Sequence, residues 1–249
     1  MSKDDHFAEC IALSEANITD ALQCMSKNFV KADIALLNEL RGIDVFFIIF
    51  SGALIFFMQT GFAMLCSGSV RSKNVQNVIL KNILDACGGA IGFWFFGYAF
   101  AYGGEDPDTV TFIGNKHFLL HDSTIYFQKW FFNFSFAATT ATIVAGTIAE
   151  RCQMIAYLGY SLLITGFVYP VVVHAVWSES GFLSAFNTNP LLGYGMIDHA
   201  GSGVVHVTGG VTAVIAAIIA GSRKGRFYDG NGNLLDEPLH IPPHSVSLQ

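Results

Sequence analysis

VFFIIFSGALIFFMQTGFAMLC, residues Val45–Cys66, contains no charged side chain from one end to the other. A helix needs about 20 predominantly apolar residues to cross the hydrocarbon core of a bilayer. The stretch is long enough, and it therefore predicts a transmembrane helix. The composition of the whole chain agrees, because 52% of its residues are hydrophobic and only 13% are charged. Soluble domains carry about 25% charged residues.

Four further apolar stretches follow the first one along the chain. They cover residues 83–102, 131–149, 154–177 and 200–221. Each is long enough to span a bilayer. The sequence therefore predicts an all-α integral membrane protein with five transmembrane helices.

The basic residues predict the orientation of these helices. They follow the first, third and fifth stretches as Arg71, Lys73 and Lys81, then Arg151, then Arg223, Lys224 and Arg226. Connections rich in Lys and Arg face the cytoplasm. We therefore expect an extracellular segment at 1–41, a helical region at 42–222 and a cytoplasmic loop at 223–249, in a protein of the plasma membrane.

The N-terminal segment carries features of an exterior location. Asn17 begins an Asn-Ile-Thr sequon for N-glycosylation. Cys10 and Cys24 could form a disulfide outside the cell, or remain two free thiols, and their spacing leaves both readings open. The five cysteines include no CxxC pair, so we expect no metal site and no cofactor. The net charge of −6 argues against a nucleic acid partner.

A second stretch, MIDHAGSGVVHVTGG at Met196–Gly210, places polar groups in the fifth apolar region. A charged side chain near the bilayer centre costs about 2.5–3.5 kcal/mol, so such groups normally face a bundle interior or a water path. If the region is helical from its start, Asp198, Ser202 and His206 recur every four residues on one face. This pattern predicts a polar column in which His206 lies about 12 Å deeper than Asp198.

Several of these polar groups also have a plainer interpretation. Asp198 could cap the helix, or it could shape a cation site, and the two roles are compatible. His206 could be an ordinary core histidine, but inside a membrane a neutral imidazole can pass a proton or bind a small polar molecule. His174 lies near the end of the fourth stretch and could simply hydrogen-bond a loop.

Aromatic side chains stand at the same end of the third and fourth stretches. Trp177 could anchor the chain at the membrane interface or offer a cation–π platform over an entrance. Phe132 and Phe136 precede the small residues of AATTATIVAGTIAE, at 137–150. Large rings in one half of a helix and small residues in the other predict close packing of the small half.

Two enzyme or cofactor readings are weaker. Ser202 and His206 lie one helical turn apart and suggest an intramembrane serine protease, but the Ser–His dyad of that class uses residues from different helices. His174 and His206 could ligate haem in a membrane cytochrome only if they faced each other at the same depth. We therefore expect a protein that is not an enzyme.

Four segments taken together resemble the ammonium transporter (Amt/Mep/Rh) family, and specifically its eukaryotic Amt branch. They are MQTGFAMLCSGSVRSKNVQNVIL at 58–80, FAATTATIVAGTIAER at 136–151, TGFVYPVVVHAVW at 165–177, and DHAGSGVVHVTGG at 198–210 with AGSRKGRF at 220–227. The tryptophan favours the Amt branch, because the Rh branch generally lacks it. The resemblance implies the first inverted repeat of an eleven-helix fold that usually forms a homotrimer.

The resemblance also implies roles for individual residues. Trp177 and Asp198 match the site that recruits ammonium, and Phe136 matches a gate beneath it, beside which Phe132 is expected to pack. His206 matches the first of two pore histidines. His199 stands where the family usually has Phe or Tyr, so it is a candidate modulator of the recruitment site.

The implied activity is the transport of ammonium or methylammonium across a lipid bilayer. The implied fold has a second half, which we expect to lie beyond Gln249. The alternative is a non-transporting ammonium sensor, or a non-conducting fragment, on the same scaffold.

Overall fold

The computed structural model of the chain describes residues 18–104, 106, 108–121 and 127–249. Within them the regular structure is helical, and β-pairing is limited to isolated bridges such as that of Thr111 with Gly181. Among the described residues, five helices are long and apolar enough to cross a membrane. We number them α1 (Ile18–Ser69, apolar over Leu40–Ser69), α2 (Ser72–Tyr102), α3 (Phe127–Ile148), α4 (Met154–Trp177) and α5 (Ser202–Ala220). The predicted fold class is confirmed.

The chain divides into two compact units, residues 1–50 and 51–249. In the described part of the first unit, Phe46 and Phe50 stack with their ring centroids 5.8 Å apart. Both rings are more than half exposed, which suits a surface that lipid covers. This division is based on contacts within the chain and not on the position of a membrane. The predicted boundaries of the extracellular, helical and cytoplasmic segments, at residues 41 and 222, therefore stay predictions.

Helix α3 is the most deeply packed helix of the second unit. Its small residues Ala137, Ala138 and Ala141 are fully buried, as the sequence predicts. It packs against both α2 and α5. Close approach of this kind depends on small residues, because packing rather than the hydrophobic effect joins helices within a bilayer.

Helices α2 and α4 approach each other at two wide π-helical turns, Phe93–Gly97 and Ile164–Val168. A Cβ atom added at Gly92 would lie 2.7 Å from Oγ1 of Thr165. The ring of Phe93 meets that of Tyr169 at a centroid distance of 6.4 Å. These contacts fix the part of α4 that leads to Trp177.

The start of α2 differs from the prediction. The helix begins at Ser72, not Ile83, so Lys81 lies within it rather than in the preceding loop. The Lys81 side chain is buried, and its Nζ donates to the backbone oxygens of Cys152 at 2.7 Å and Ala149 at 3.4 Å. Both carbonyls belong to the connection between α3 and α4, and they accept the hydrogens of the buried ammonium group.

The start of α5 also corrects the prediction. Ala200 and Gly201 have φ values of 52° and 78°, so the chain turns sharply there and the helix begins at Ser202. Asp198 therefore precedes the helix, and the expected column running from Asp198 through Ser202 to His206 is wrong. The left-handed conformation at Gly201 carries no Cβ penalty, which favours glycine at this position.

The connection between α4 and α5 is anchored to the loop after α2. Asn187 donates from Nδ2 to the carbonyl of Thr109 at 2.9 Å, and the amide of Thr111 donates to the Ser180 carbonyl at 2.9 Å. Farther along, the amide of Met196 donates to the Leu183 carbonyl at 2.6 Å. The amide of Leu183 in turn donates to the carbonyl of Ala175 in α4 at 2.9 Å, which holds this segment near the end of α4.

Candidate functional site

A cavity of about 540 Å³ opens where α2, α3 and α4 meet the connection before α5. Its lining is mostly aromatic and apolar, with the Asp198 carboxylate as its charged group. The lining residues are Tyr102, Phe132, Asn133, Phe136, Val176, Trp177, Ala185, Phe186, Met196, Ile197 and Asp198. We call this end of the bundle the Trp177 side, and the opposite end, where α3 joins α4, the Arg151 side.

The cavity brings together four of the residues that the sequence proposes for the site. Trp177 ends α4, and its Nε1 donates to Oδ2 of Asp198 at 3.1 Å. The ring of Phe136 meets that of Trp177 edge-on, with centroids 5.5 Å apart. Phe132 meets Phe136 edge-on at 5.1 Å. The three rings therefore form a continuous series that begins at the carboxylate.

Asp198 also holds the start of α5. Its Oδ1 accepts a hydrogen bond from the amide of Gly203 at 2.6 Å, and Oδ2 lies 3.5 Å from the amide of Val204. These are first-turn amides that lack intrahelical partners. The carboxylate thus accepts amides of the first turn from outside the helix and lines the cavity, whereas its role in a cation site stays a prediction.

His206 lies in the wide first turn of α5, Ser202–Val207, on an exposed face. Its Nδ1 is 3.1 Å from the carbonyl oxygen of Gly201. A carbonyl can only accept, so Nδ1 donates, and in the neutral ring Nε2 is left as an acceptor. The cavity lining does not include His206 or the exposed His199.

His174 has a structural role, as its position suggests. It is fully buried, with Nδ1 2.8 Å from the Ala101 carbonyl and Nε2 2.8 Å from Oγ1 of Thr111. Both ring nitrogens are therefore engaged, which contradicts a role as haem ligand. The hydroxyl of Ser202 donates to the His199 carbonyl at 2.7 Å, so it is not poised as a nucleophile on His206.

The structure contains two polar clusters that the sequence did not predict as sites. Asp85 is fully buried within α2, and its Oδ2 accepts from the hydroxyl of Tyr157 at 2.9 Å. On the Arg151 side, the Glu150 carboxylate forms ion pairs with Nε of Arg71 at 3.1 Å and with Nη1 of Arg223 at 3.1 Å. Two sequence signals could have revealed these clusters. One is the carboxylate of Asp85 within an apolar stretch, and the other is Glu150 in the Ala-Glu-Arg triplet at 149–151, next to basic loops.

Burial alone raises the pKa of Glu150. The hydrogen bonds from Asn74 and Arg71 and the charge of Arg223 outweigh burial and hold that pKa below its ordinary range. The carboxyl therefore stays ionised at neutral pH, as a partner of two arginines.

Two expectations fall on residues that the structure does not describe. Cys10 and Asn17 lie outside the described residues, so the disulfide with Cys24 and the glycosylation of Asn17 stay predictions. Among the described residues, no group of three His, Cys, Asp or Glu side chains could hold a metal ion.

The five long apolar helices of the described part of the chain identify an integral membrane protein. The chain belongs to the Ammonium Transporter Family, whose family model matches residues 45–248. This confirms the resemblance found in the sequence.

Curated relatives carry the same family name. The chain is 46% identical over 209 residues to "Ammonium transporter 1 member 3" of Solanum lycopersicum, covering 83% of this chain and 44% of the relative. It is 50% identical over 190 residues to "Ammonium transporter 1 member 2" of Oryza sativa subsp. japonica, covering 74% and 36%. A "Putative ammonium transporter 1" of Caenorhabditis elegans is 42% identical, with coverage of 83% and 38%. The chain therefore spans less than half the length of these relatives.

Solved structures agree with the fold. A chain titled "Sensor Amt Protein" superposes with a TM-score of 0.64 at 30% identity, covering 83% of this chain and 50% of that one. Mep2 of Candida albicans superposes with a TM-score of 0.64, covering 82% and 44%. At 24% identity, this second likeness shows the fold alone.

Proposed function

We propose that this chain forms one wall of a path for ammonium across a membrane. The observation that carries the proposal is the hydrogen bond between Trp177 and Asp198. Both residues line one cavity, and the ring of Phe136 packs against the indole of Trp177 there. An indole face attracts a cation by about 0.5–2 kcal/mol. The nearby carboxylate favours a cation too, so together they select a positive ion without trapping it.

The Phe136 and Phe132 rings then act as a gate. Both rings line the cavity beside Trp177, and an apolar constriction disfavours a hydrated ion. Ammonium passes this point as it sheds water. A dry environment disfavours the charged form, so the proton becomes easier to lose.

His206 receives the substrate or its proton below the gate. The Nδ1 hydrogen bond to Gly201 orients the ring and leaves Nε2 as an acceptor. We assign the exposed face of α5 around His206 to the path. His199, which is exposed and adjacent to Asp198, is the proposed modulator of the recruitment site.

The basic residues support a proposed orientation, and the family supports a proposed setting. We place the Trp177 side outside the cell and the Arg151 side in the cytoplasm, in the plasma membrane. Ammonium or methylammonium is the proposed substrate, and a homotrimer the proposed assembly. The names of the curated relatives support transport rather than the sensor alternative.

The test is methylammonium uptake by yeast cells that lack their own ammonium transporters and express the protein from its complete reading frame. Trp177→Leu should raise the half-saturating concentration about 2- to 30-fold, the range that corresponds to loss of a cation–π contact. Trp94→Leu is the matched control, because Trp94 is 41% exposed on α2 and does not line the cavity. An unchanged half-saturating concentration in a normally expressed Trp177→Leu protein would contradict the recruitment role.

Two further measurements complete this test. Phe136→Ala should change the uptake rate, whereas Phe57→Ala, at a 70% exposed ring of α1, should not. If the unsubstituted protein reaches the cell surface but takes up no methylammonium, transport is excluded. Ammonium-dependent signalling without uptake would then favour the sensor alternative.

A further inference from the structure

A second cavity lies on the Arg151 side, between the end of α3 and the end of α5. Its volume is about 410 Å³, and it is lined by three arginines, Arg151, Arg223 and Arg226. The lining next to these arginines includes Gly221, Ser222 and Phe227. The proposed transport path does not use this cavity, so its role is a separate question.

The arginines are held in place by contacts that leave much of their charge uncompensated. Arg151 donates from Nη1 to the Gly221 carbonyl at 2.9 Å, and Arg226 donates from Nη1 to the Leu239 carbonyl at 3.1 Å. A carbonyl carries no net charge, so both positive charges remain. Arg223 is paired with Glu150 at 3.1 Å, but that carboxylate is shared with Arg71.

The guanidinium groups are oriented and still have donors to offer. Each guanidinium carries five N–H donors on three nitrogens, and the contacts above occupy one nitrogen of each group. The Arg226 guanidinium also lies over the ring of Phe227, 5.7 Å from its centroid. An arginine fixed in this way loses less side-chain freedom when it binds a ligand.

The position of the cavity identifies the kind of ligand. Helix α5 ends at Ala220, and Arg151 follows the end of α3, so the arginines stand at the depth where a bilayer's headgroups begin. Guanidinium forks match the oxygens of a phosphate group in pairs. Basic pockets between membrane helices on the cytoplasmic side bind phosphorylated headgroups.

We propose that the cavity bounded by Arg151, Arg223 and Arg226 binds a phosphate group that carries a double negative charge. The group can be the headgroup of a phospholipid such as phosphatidic acid, or free inorganic phosphate. The two sources share one chemistry, and they differ in whether the rest of the ligand is anchored in the membrane.

The experiment titrates fluorescent phosphatidic acid into the detergent-solubilised protein, expressed from its complete reading frame, at fixed salt. Arg226→Gln and Arg151→Gln should each weaken binding about tenfold or more, as expected for the loss of a charge-assisted hydrogen bond. Lys224→Gln is the matched control, because it removes the same charge from an exposed neighbour that does not line the cavity. It should change binding less than about twofold, since Lys224 does not line the cavity and solvent screens its charge.

Competition by inorganic phosphate distinguishes the two sources. If phosphate displaces the lipid from the unsubstituted protein, the site takes the free anion as well, and if it does not, the lipid is the ligand. Equal weakening by Lys224→Gln and Arg226→Gln overturns the proposal, because the attraction would then be diffuse. Absence of binding by both probes also overturns it and leaves the cavity to a carboxylate-bearing protein segment.

A folding control keeps this test decisive. Each variant should elute as the unsubstituted protein does in size-exclusion chromatography. If Arg151→Gln fails this control, Arg226→Gln carries the test, with Arg226→Lys as a second variant. Arg226→Lys keeps the charge but loses the fork, so it should bind more weakly than the unsubstituted protein and more tightly than Arg226→Gln.

Discussion

Nε1 of Trp177 and Oδ2 of Asp198 are 3.1 Å apart, and this hydrogen bond joins the end of α4 to the segment that precedes α5. The same carboxylate accepts the Gly203 amide through Oδ1. One side chain therefore sets the position of the indole and of the first turn of α5. A change at Asp198 should affect both the cavity and the stability of the helix.

We expect Asp198→Ala to lower the free energy of unfolding by about 0.5–2 kcal/mol, the usual cost of removing a side chain that caps a helix. Asp198→Asn should cost less, because its amide oxygen can still accept from Gly203. Thermal unfolding of the purified proteins measures both. Asp108→Ala, at an exposed loop carboxylate, is the control and should leave the midpoint unchanged. Equal midpoints for Asp198→Ala and the control would contradict the capping role.

Substitutions of His174 and His206 should have different effects, the first mainly on stability and the second mainly on transport. His174 is fully buried with both nitrogens engaged, so His174→Ala should lower the free energy of unfolding by about 1–3 kcal/mol as its partners lose their bonds. His206 is exposed, and His206→Ala should leave the unfolding midpoint nearly unchanged. The same two proteins, assayed for methylammonium uptake, should show the larger specific loss for His206→Ala.

Each of these two histidine predictions has an outcome that would contradict it. Normal uptake per folded molecule in the His206→Ala protein would remove His206 from the proposed path. A normal unfolding midpoint in the His174→Ala protein would show that the two hydrogen bonds contribute little.

The pH dependence of stability should reveal the ion pairs of Glu150. A carboxyl whose pKa is depressed on folding stabilises the protein above the pKa of the unfolded chain, and this stabilisation is lost as the pH falls through the folded value. The ordinary pKa of a glutamate is about 4.3. We therefore expect the unfolding midpoint to decrease on acidification below about pH 4.3.

Glu150→Gln provides the comparison for this effect. Glutamine keeps the shape but not the charge, so Arg71 and Arg223 lose their shared partner at every pH. The variant should be less stable at neutral pH, and it should lose less of its stability on acidification. Parallel pH profiles for the two proteins would show that Glu150 does not titrate with folding.

The length of the apolar runs was enough to predict the five helices, because a bilayer fixes how many residues a helix needs to cross it. Polar residues next to those runs are harder to place. Lys81 was expected in a loop because it is charged, yet the carbonyls of Ala149 and Cys152 accept its hydrogens inside the bundle. Those carbonyls belong to a distant part of the chain, and no local pattern reveals them.

The site illustrates the same difference. The grouping of Trp177, Phe136 and Asp198 followed from their resemblance to a family, and the structure places all three at one cavity. The expected helical path from Asp198 to His206 failed because Ala200 adopts a positive φ, which an alanine rarely does. A turn of this kind depends on the contacts around it, so a periodicity argument cannot detect it.

The neighbouring glycines Gly209 and Gly210 provide a test of how closely α5 packs on α3. A Cβ atom added at Gly209 would lie 3.0 Å from Cβ of Ile143, whereas one added at Gly210 would have no neighbour within 4 Å. We expect Gly209→Ala to lower the free energy of unfolding by about 1–3 kcal/mol, because Ile143 must shift within a packed core. Gly210→Ala should be neutral or slightly stabilising, since alanine is favoured over glycine within a helix. Thermal unfolding compares the pair directly, and an equal effect of the two substitutions would contradict the close contact between α5 and α3.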